Sequence, residues 1–129
     1  MIKKMKISFD FDSTLTKPVI QRLAETLLDA GCDVWILTSR LNDTWYYDDG
    51  SILKRIGYNH DIRRVAEEIG IPEKQILYSE GNLKVDLYLR HNFDLHYDDS
   101  RKEVKAINDA GGMALLVKGK NIKDYENRN

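Results

Sequence analysis

The stretch Ile7-Ser8-Phe9-Asp10-Phe11-Asp12-Ser13-Thr14-Leu15-Thr16 decides how the rest of the chain is read. Met5, Ile7 and Phe9 alternate with Lys6 and Ser8, the period of a half-buried strand running roughly from Lys4 to Phe11. The strand then delivers two carboxylates, Asp10 and Asp12, and gives way to small hydroxyl residues. On an extended backbone the side chains at i and i+2 point the same way, so the two carboxylates are expected to converge at its carboxyl end. That is the end of a parallel sheet at which α/β proteins bind ligands. Like charges held this close repel unless a cation separates them or one keeps a proton. Read as structure alone, the stretch would be an edge strand ending in a solvated acidic turn, with Ser13 and Thr14 as caps. The remaining elements decide between the two readings.

Outward from this strand, strand and helix alternate. Pro18 opens a helix with Val19, Leu23, Leu27 and Leu28 on an apolar stripe and Ile20 and Ala24 beside it, stopped near Gly31. Asp33 to Thr38 holds Val34, Trp35, Ile36 and Leu37 in a row, which predicts an interior parallel strand. A short helix is expected around Ser51 to Ile56, and a clear one from Asn59 or His60 to Ile69, ended by Gly70 and Pro72. Strand three is Gln75 to Ser79, followed by an Asn82-capped helix from Leu83 to His91 with Val85, Leu87 and Leu89 as apolar positions. Strand four is Phe93 to Tyr97, then come a helix from Arg101 to Ala110 and strand five, Met113 to Val117. Right-handed crossovers between parallel strands follow, giving a three-layer, Rossmann-like α/β fold around a five-stranded parallel sheet. Residues 1–117 are read as one domain and 118–129 as a polar tail.

The totals exclude several classes. At 129 residues one core suffices. A formal net charge of -1 lacks the basic excess of a dedicated nucleic-acid binder. One cysteine, Cys32, permits neither an internal disulfide nor a thiolate zinc site. The start, Met-Ile-Lys-Lys-Met-Lys, runs into a charged strand and not into the apolar core of a signal peptide, and no stretch reaches membrane-spanning length. A reducing, cytoplasmic setting without membrane contact is expected.

The polar residues gather where strands end. Strand one offers Asp10 and Asp12, and strand two offers Thr38, Ser39 and Arg40. Strand three offers Ser79, Glu80 and Gly81 with Lys84 beyond, and strand four offers Asp98, Asp99 and Ser100. On one rim this puts four carboxylates beside a hydroxyl and a lysine, which demands a cation. Hard oxygen ligands without a Cys or His cluster select Mg²⁺ over zinc. Taken singly, Thr38 could simply end a strand, Lys84 could be a surface lysine with Lys74 as its rival, and Asp98-Asp99-Ser100 could be a helix cap. Cys32, His60, His91 and His96 have no partners at ligand spacing and read as core or surface residues.

Asp10-Phe-Asp-Ser-Thr, Thr38 after the apolar second strand, Lys84 and the Asp98-Asp99 pair resemble, in order and spacing, the four motifs of the haloacid dehalogenase-like hydrolases. The resemblance covers residues 5–117 and implies a phosphatase. Asp10 would be the nucleophile that becomes an aspartyl phosphate, and Asp12 the general acid and then base, its backbone carbonyl a Mg²⁺ ligand. Thr38, with Ser39 and Arg40, would bind the phosphoryl oxygens. Lys84 would neutralise charge on nucleophile and phosphoryl group. Asp99 would ligate Mg²⁺ directly, with Asp98 a second or water-mediated ligand. One helix fills the gap from Thr16 to Thr38, and a helix, strand three and the aromatic segment fill that from Leu41 to Leu83, so the chain is similar to capless members with an open site. Such a site suits a bulky phosphate: a nucleotide, a polynucleotide end or a phosphoprotein. Trp45, Tyr46 and Tyr47 could stack on a base, although packing of an irregular loop explains them more simply. Arg40, Lys54, Arg55, Arg63 and Arg64 could form a basic cleft wall, or solvated helix faces. The competing readings are a receiver-like signalling domain, which needs an Asp where Ser79-Glu80 stands, and a catalytically silent binding module on the same fold.

Overall fold

A computed structural model of the chain describes residues 3–46, 52–55 and 57–118. Its elements are β1 (Lys6–Phe9), α1 (Pro18–Asp29), β2 (Asp33–Thr38), β3 (Thr44–Tyr46), β4 (Ile52–Arg55), α2 (His60–Ile69), β5 (Ile76–Tyr78), α3 (Val85–Arg90), β6 (Leu95–Asp98), α4 (Arg101–Asp109) and β7 (Ala114–Leu116). The main sheet has five parallel strands in the order β5-β2-β1-β6-β7. Numbered in chain order these are 3-2-1-4-5, the doubly wound arrangement. The direction of winding reverses at the β1–β6 pair, which makes that pair the topological switch point.

Alternation along the strands assigns the two faces. Ile7 and Phe9 of β1, and Val34 and Ile36 of β2, join Ala24 of α1 and Ile62, Val65 and Ala66 of α2 in one buried cluster. Leu37 packs on the other face with Tyr88, Phe93, Ile107 and Ala114, against α3 and α4. At roughly 1.5–3 kcal/mol for each large apolar side chain buried, the α1/α2 face supplies more of the driving force. The opposite face gives up part of its core to polar groups. β2 is interior and apolar on both faces, as its four consecutive apolar residues predicted. Gly31 and Gly70 take the positive φ that ends α1 and α2, at 92° and 105°.

Several expectations are corrected. Residues 52–55 form no helix; β4 pairs antiparallel with β3 in a separate hairpin, and Ser51, Ile56 and Tyr47 lie outside the described residues. Val19 is exposed, so the α1 stripe runs through Ile20, Leu23, Leu27 and Leu28 around Ala24. Helix α3 is shorter than its apolar pattern suggested. Ser79 and Asn82 close a turn through Glu80 and Gly81, both at positive φ, and Tyr88 is its buried anchor while Leu89 is exposed. Of the expected tail, 119–129 lies outside the described residues. Among the described residues no helix is long and apolar enough to cross a membrane.

Candidate active site

The Asp10 backbone N–H donates to Tyr97 O at 2.8 Å, so β1 and β6 stay paired up to the first carboxylate. Ser8 and Asp10 then share a face with His96 and Asp98, while Phe9 and Tyr97 stack on the other with centroids 4.8 Å apart. Beyond Asp10 the strand breaks into one wide turn, Phe11–Leu15. Leu15 N–H donates to Asp10 O at 3.2 Å, and Ser13 is at φ 61°. The extended geometry that would bring Asp12 beside Asp10 therefore ends one residue too early. The two carboxylates part: Asp10 turns to Lys84 and Thr14, Asp12 to Arg40.

A buried polar column runs along this face. Lys84 Nζ donates to Asp10 Oδ1 at 2.7 Å and to Asp98 Oδ2 at 2.6 Å. His96 Nε2 lies 2.8 Å from Asp98 Oδ2, and His96 Nδ1 lies 2.8 Å from Ser8 Oγ. Thr14 Oγ1 donates to Asp10 Oδ2 at 3.1 Å. The Lys84 side chain is 2% exposed and that of Asp98 1%. Burial opposes the Lys84 charge, but Asp10 and Asp98 outweigh it and hold the ammonium above the ordinary lysine pKa. Burial also opposes the Asp98 charge, and the His96 hydrogen bond and Lys84 more than offset it, leaving Asp98 below its ordinary value. Burial keeps His96 neutral despite Asp98. With Asp98 ionised, Nε2 carries the histidine proton and Nδ1 accepts from Ser8. Asp10 goes the other way: burial pushes its carboxyl up to about 7 against the pull of Lys84, with the Asp98 charge adding to the rise.

The acidic groups at this rim outnumber the one buried cation. Lys84 offers one charge to two buried carboxylates, and Asp99 brings a third. One oxygen each from Asp10, Asp98 and Asp99 lies within 4.8 Å of the others, the only such cluster among the described residues. An all-oxygen set of this charge fits Mg²⁺, whose charge would return Asp10 to the ionised state. The Asp12 carboxylate stands outside the cluster, so any share of Asp12 in holding the ion falls to its backbone carbonyl.

The other expected site residues are at the same rim. Thr38 ends β2, fully buried, its Oγ1 accepting from Arg40 N–H at 3.3 Å. Ser39 is exposed, its carbonyl taken by Gly81 N–H at 2.8 Å. The Arg40 guanidinium is engaged by Asp12 at 2.7 Å and by Asp61 at 2.8 Å, not open to the rim. Lys74 is exposed and Lys84 buried, which separates the two lysine candidates. Arg63, expected as part of a basic wall, is paired at 2.8 Å with Asp43.

Sequence reasoning missed His96, Glu103, Asp43 and Asp61. His96 had a signal, since i and i+2 on a strand put it beneath Asp98. Glu103 had none. It reaches from α4 to accept the Lys84 backbone N–H at 3.0 Å, partnering an amide at the start of α3 and fixing where the lysine begins. Asp43 is a structural anchor. Its fully buried carboxylate accepts from Arg63 at 2.8 and 3.1 Å, from Gly57 N–H at 3.1 Å and from Asn59 N–H at 3.0 Å. It thereby ties together the two chain ends that leave the hairpin. Asp43→Ala is expected to destabilise the protein by about 3–5 kcal/mol, because it strands the Arg63 cation. The Arg63 hydrogen bonds hold the Asp43 carboxyl far below the carboxylate range despite burial. Its contribution is therefore complete above the unfolded pKa of roughly 4 and drains away as pH falls towards the folded value. Urea unfolding at pH 3 and pH 7 checks both points. Equal stability of variant and wild type at pH 7 would discard the anchor.

No family model matches the chain. No curated protein matches it either. Among solved structures, the hypothetical protein PH1952 from Pyrococcus horikoshii OT3 is similar at a TM-score of 0.38 and 22% identity, over 84% of this chain. The match covers 40% of that protein, so the chain spans well under half its length.

Proposed function

We propose that the protein is a Mg²⁺-dependent phosphomonoester hydrolase of the haloacid dehalogenase-like kind, working in the cytoplasm through an aspartyl phosphate on Asp10. The observation that carries this reading is the buried Lys84 ammonium bridging Asp10 and Asp98, with Asp99 completing a cluster of three carboxylates at the switch point. Phosphoryl transfer asks for positioned charge more than for elaborate covalent chemistry, and this cluster supplies it.

In the first half-reaction an Asp10 carboxylate oxygen forms a bond to phosphorus as the bond to the leaving oxygen breaks. Asp12 gives that oxygen its proton. In the second, water attacks the phosphorus and Asp12 takes a proton from it. The acyl-phosphate P–O bond breaks, freeing inorganic phosphate and Asp10. Thr14 orients the Asp10 oxygen that Lys84 leaves free, and Lys84 offsets charge on both nucleophile and phosphoryl group. Thr38, and Ser39 beside it, would donate hydrogen bonds to phosphoryl oxygens. Mg²⁺, held by Asp10, Asp98, Asp99 and the Asp12 carbonyl, would neutralise charge between carboxylates and substrate.

Between Thr38 and Lys84 the described residues contain the small β3–β4 hairpin, α2 and β5, which supports an open site and a bulky substrate: a nucleotide, a polynucleotide end or a phosphoprotein. The receiver-like alternative loses ground because its sheet order is 2-1-3-4-5 in chain order, not 3-2-1-4-5. The test is phosphate release from p-nitrophenyl phosphate, then from nucleotides, 3′- and 5′-phosphorylated oligonucleotides and phosphopeptides. Turnover with Mg²⁺ that stops in EDTA is expected. No release from any of these substrates would end the proposal.

A further inference from the structure

Arg40 leaves β2 at the rim, and a guanidinium carries five N–H donors. All five are engaged inside the protein. Nε donates to Asp12 Oδ2 at 2.9 Å, and one terminal nitrogen donates to Asp12 Oδ1 at 2.7 Å and Asp61 Oδ2 at 2.9 Å. The other donates to Asp61 Oδ1 at 2.8 Å and Asn59 Oδ1 at 3.4 Å. The group lies over the Phe11 ring, 5.1 Å from its centroid, and Phe11 is itself in the core. Asp61 stands in the first turn of α2, where it also accepts its neighbour's backbone N–H from Ile62 at 3.0 Å. Two bidentate forks back to back, on a cation fixed from below, go well beyond an ordinary surface pair.

We propose that Arg40 and Asp61 form a seat that aims the Asp12 carboxylate, and that Arg40 is not a ligand for substrate phosphate. This rests on the phosphomonoesterase reading above. Two arguments carry it. A phosphate could reach Arg40 only by displacing a carboxylate already held by a complete fork. Asp61 alone also balances the guanidinium charge, so none is left over to attract a phosphate even while Asp12 carries the proton it donates. Asp12, by contrast, needs the help. It sits in an irregular turn with its side chain 56% exposed, and the fork takes both of its oxygens. A proton donor has to lie within about 2.6–3.2 Å of the oxygen it serves, and Arg40 sets that aim. Arg40 and Asp61 are thus positioning residues that act through Asp12.

The leaving group tests this. p-Nitrophenolate departs without a proton, whereas an alkoxide does not. Arg40→Ala is expected to lower kcat on an alkyl phosphate by about 10- to 100-fold and on p-nitrophenyl phosphate by a few-fold at most, KM changing little on either. Arg40→Lys should not rescue the alkyl ester, because an ammonium lacks the fork. Asp61→Asn should shift the ratio of the two kcat values in the same direction, and it carries the test if Arg40→Ala does not fold. Equal losses on both esters with a raised KM would make Arg40 a phosphate ligand and overturn the seat. An unchanged ratio in both variants would overturn it as well. A wild type that releases phosphate from none of the substrates named above would instead overturn the phosphatase reading beneath it, a result visible before any variant is made; where only a nucleotide or phosphopeptide is turned over, that ester serves as the alkyl phosphate.

Discussion

Asp10→Asn is expected to abolish phosphate release, by on the order of 10⁴-fold or more, in a protein that folds as well as the wild type or better. The amide keeps the shape of the carboxyl, its oxygen can still accept from Lys84 while its NH2 donates to the Thr14 hydroxyl, but it cannot form the acyl phosphate. The stability half of the expectation comes from the site's electrostatics. Asp10 is buried beside Asp98, and its carboxyl is pushed up to about 7. For an acid whose folded pKa lies above the unfolded one, ionisation favours the unfolded chain. Without Mg²⁺ the Asp10 charge therefore weakens the fold progressively from about pH 4 to pH 7. The asparagine variant has no such dependence, and near neutral pH it should unfold at an equal or higher temperature in EDTA. Inactivity with retained or raised stability distinguishes a lost nucleophile from a damaged fold. Undiminished turnover would remove Asp10 from the chemistry.

Most of the architecture around Asp10 was legible in the sequence. Strand periods, the four apolar residues of β2 and the ends of α1, α2 and α4 are local signals, and the structure places them within a residue or two. The rim was legible because a parallel sheet puts every strand's carboxyl end on one side, so residues far apart in the chain could be assigned to one crevice. Side-chain direction within the rim was not legible. Asp12 was expected beside Asp10 by strand alternation, but the strand ends at the Phe11–Leu15 turn, and its partner is Arg40, just past the end of β2. Asp43–Arg63 and Glu103–Lys84 are pairings across elements with no local pattern, and nothing in the chain's periodicity marks them. The hairpin was hidden for another reason. Its strands are three and four residues long, too short for alternation to stand out from loop composition.

Lys84→Met is expected to show that the site's charge is balanced by two cations, only one of which the chain supplies. Methionine matches the length of the lysine stem, so the loss is mainly that of an ammonium 2.7 Å from Asp10 and 2.6 Å from Asp98. In EDTA at neutral pH the carboxylates are left uncompensated, and destabilisation by about 3–5 kcal/mol should follow. Lowering the pH should shrink this loss, because protonating the carboxyls removes the repulsion that the variant exposes. Mg²⁺ should shrink it too, and should raise the unfolding temperature more in the variant than in the wild type, since an ion bound only by the folded state stabilises it by mass action. Turnover should still fall by about 10²- to 10³-fold at saturating Mg²⁺, because in the proposed mechanism the ammonium acts on the phosphoryl charge as well as on Asp10. Lys74→Met serves as the control: that lysine is exposed, and its loss should leave both stability and turnover near wild type. Thermal unfolding of the three proteins with and without Mg²⁺, paired with p-nitrophenyl phosphate turnover, reads all of this. A Lys84→Met protein as stable as wild type in EDTA would mean that the buried carboxylates do not depend on this cation. They would then need no metal beside it either.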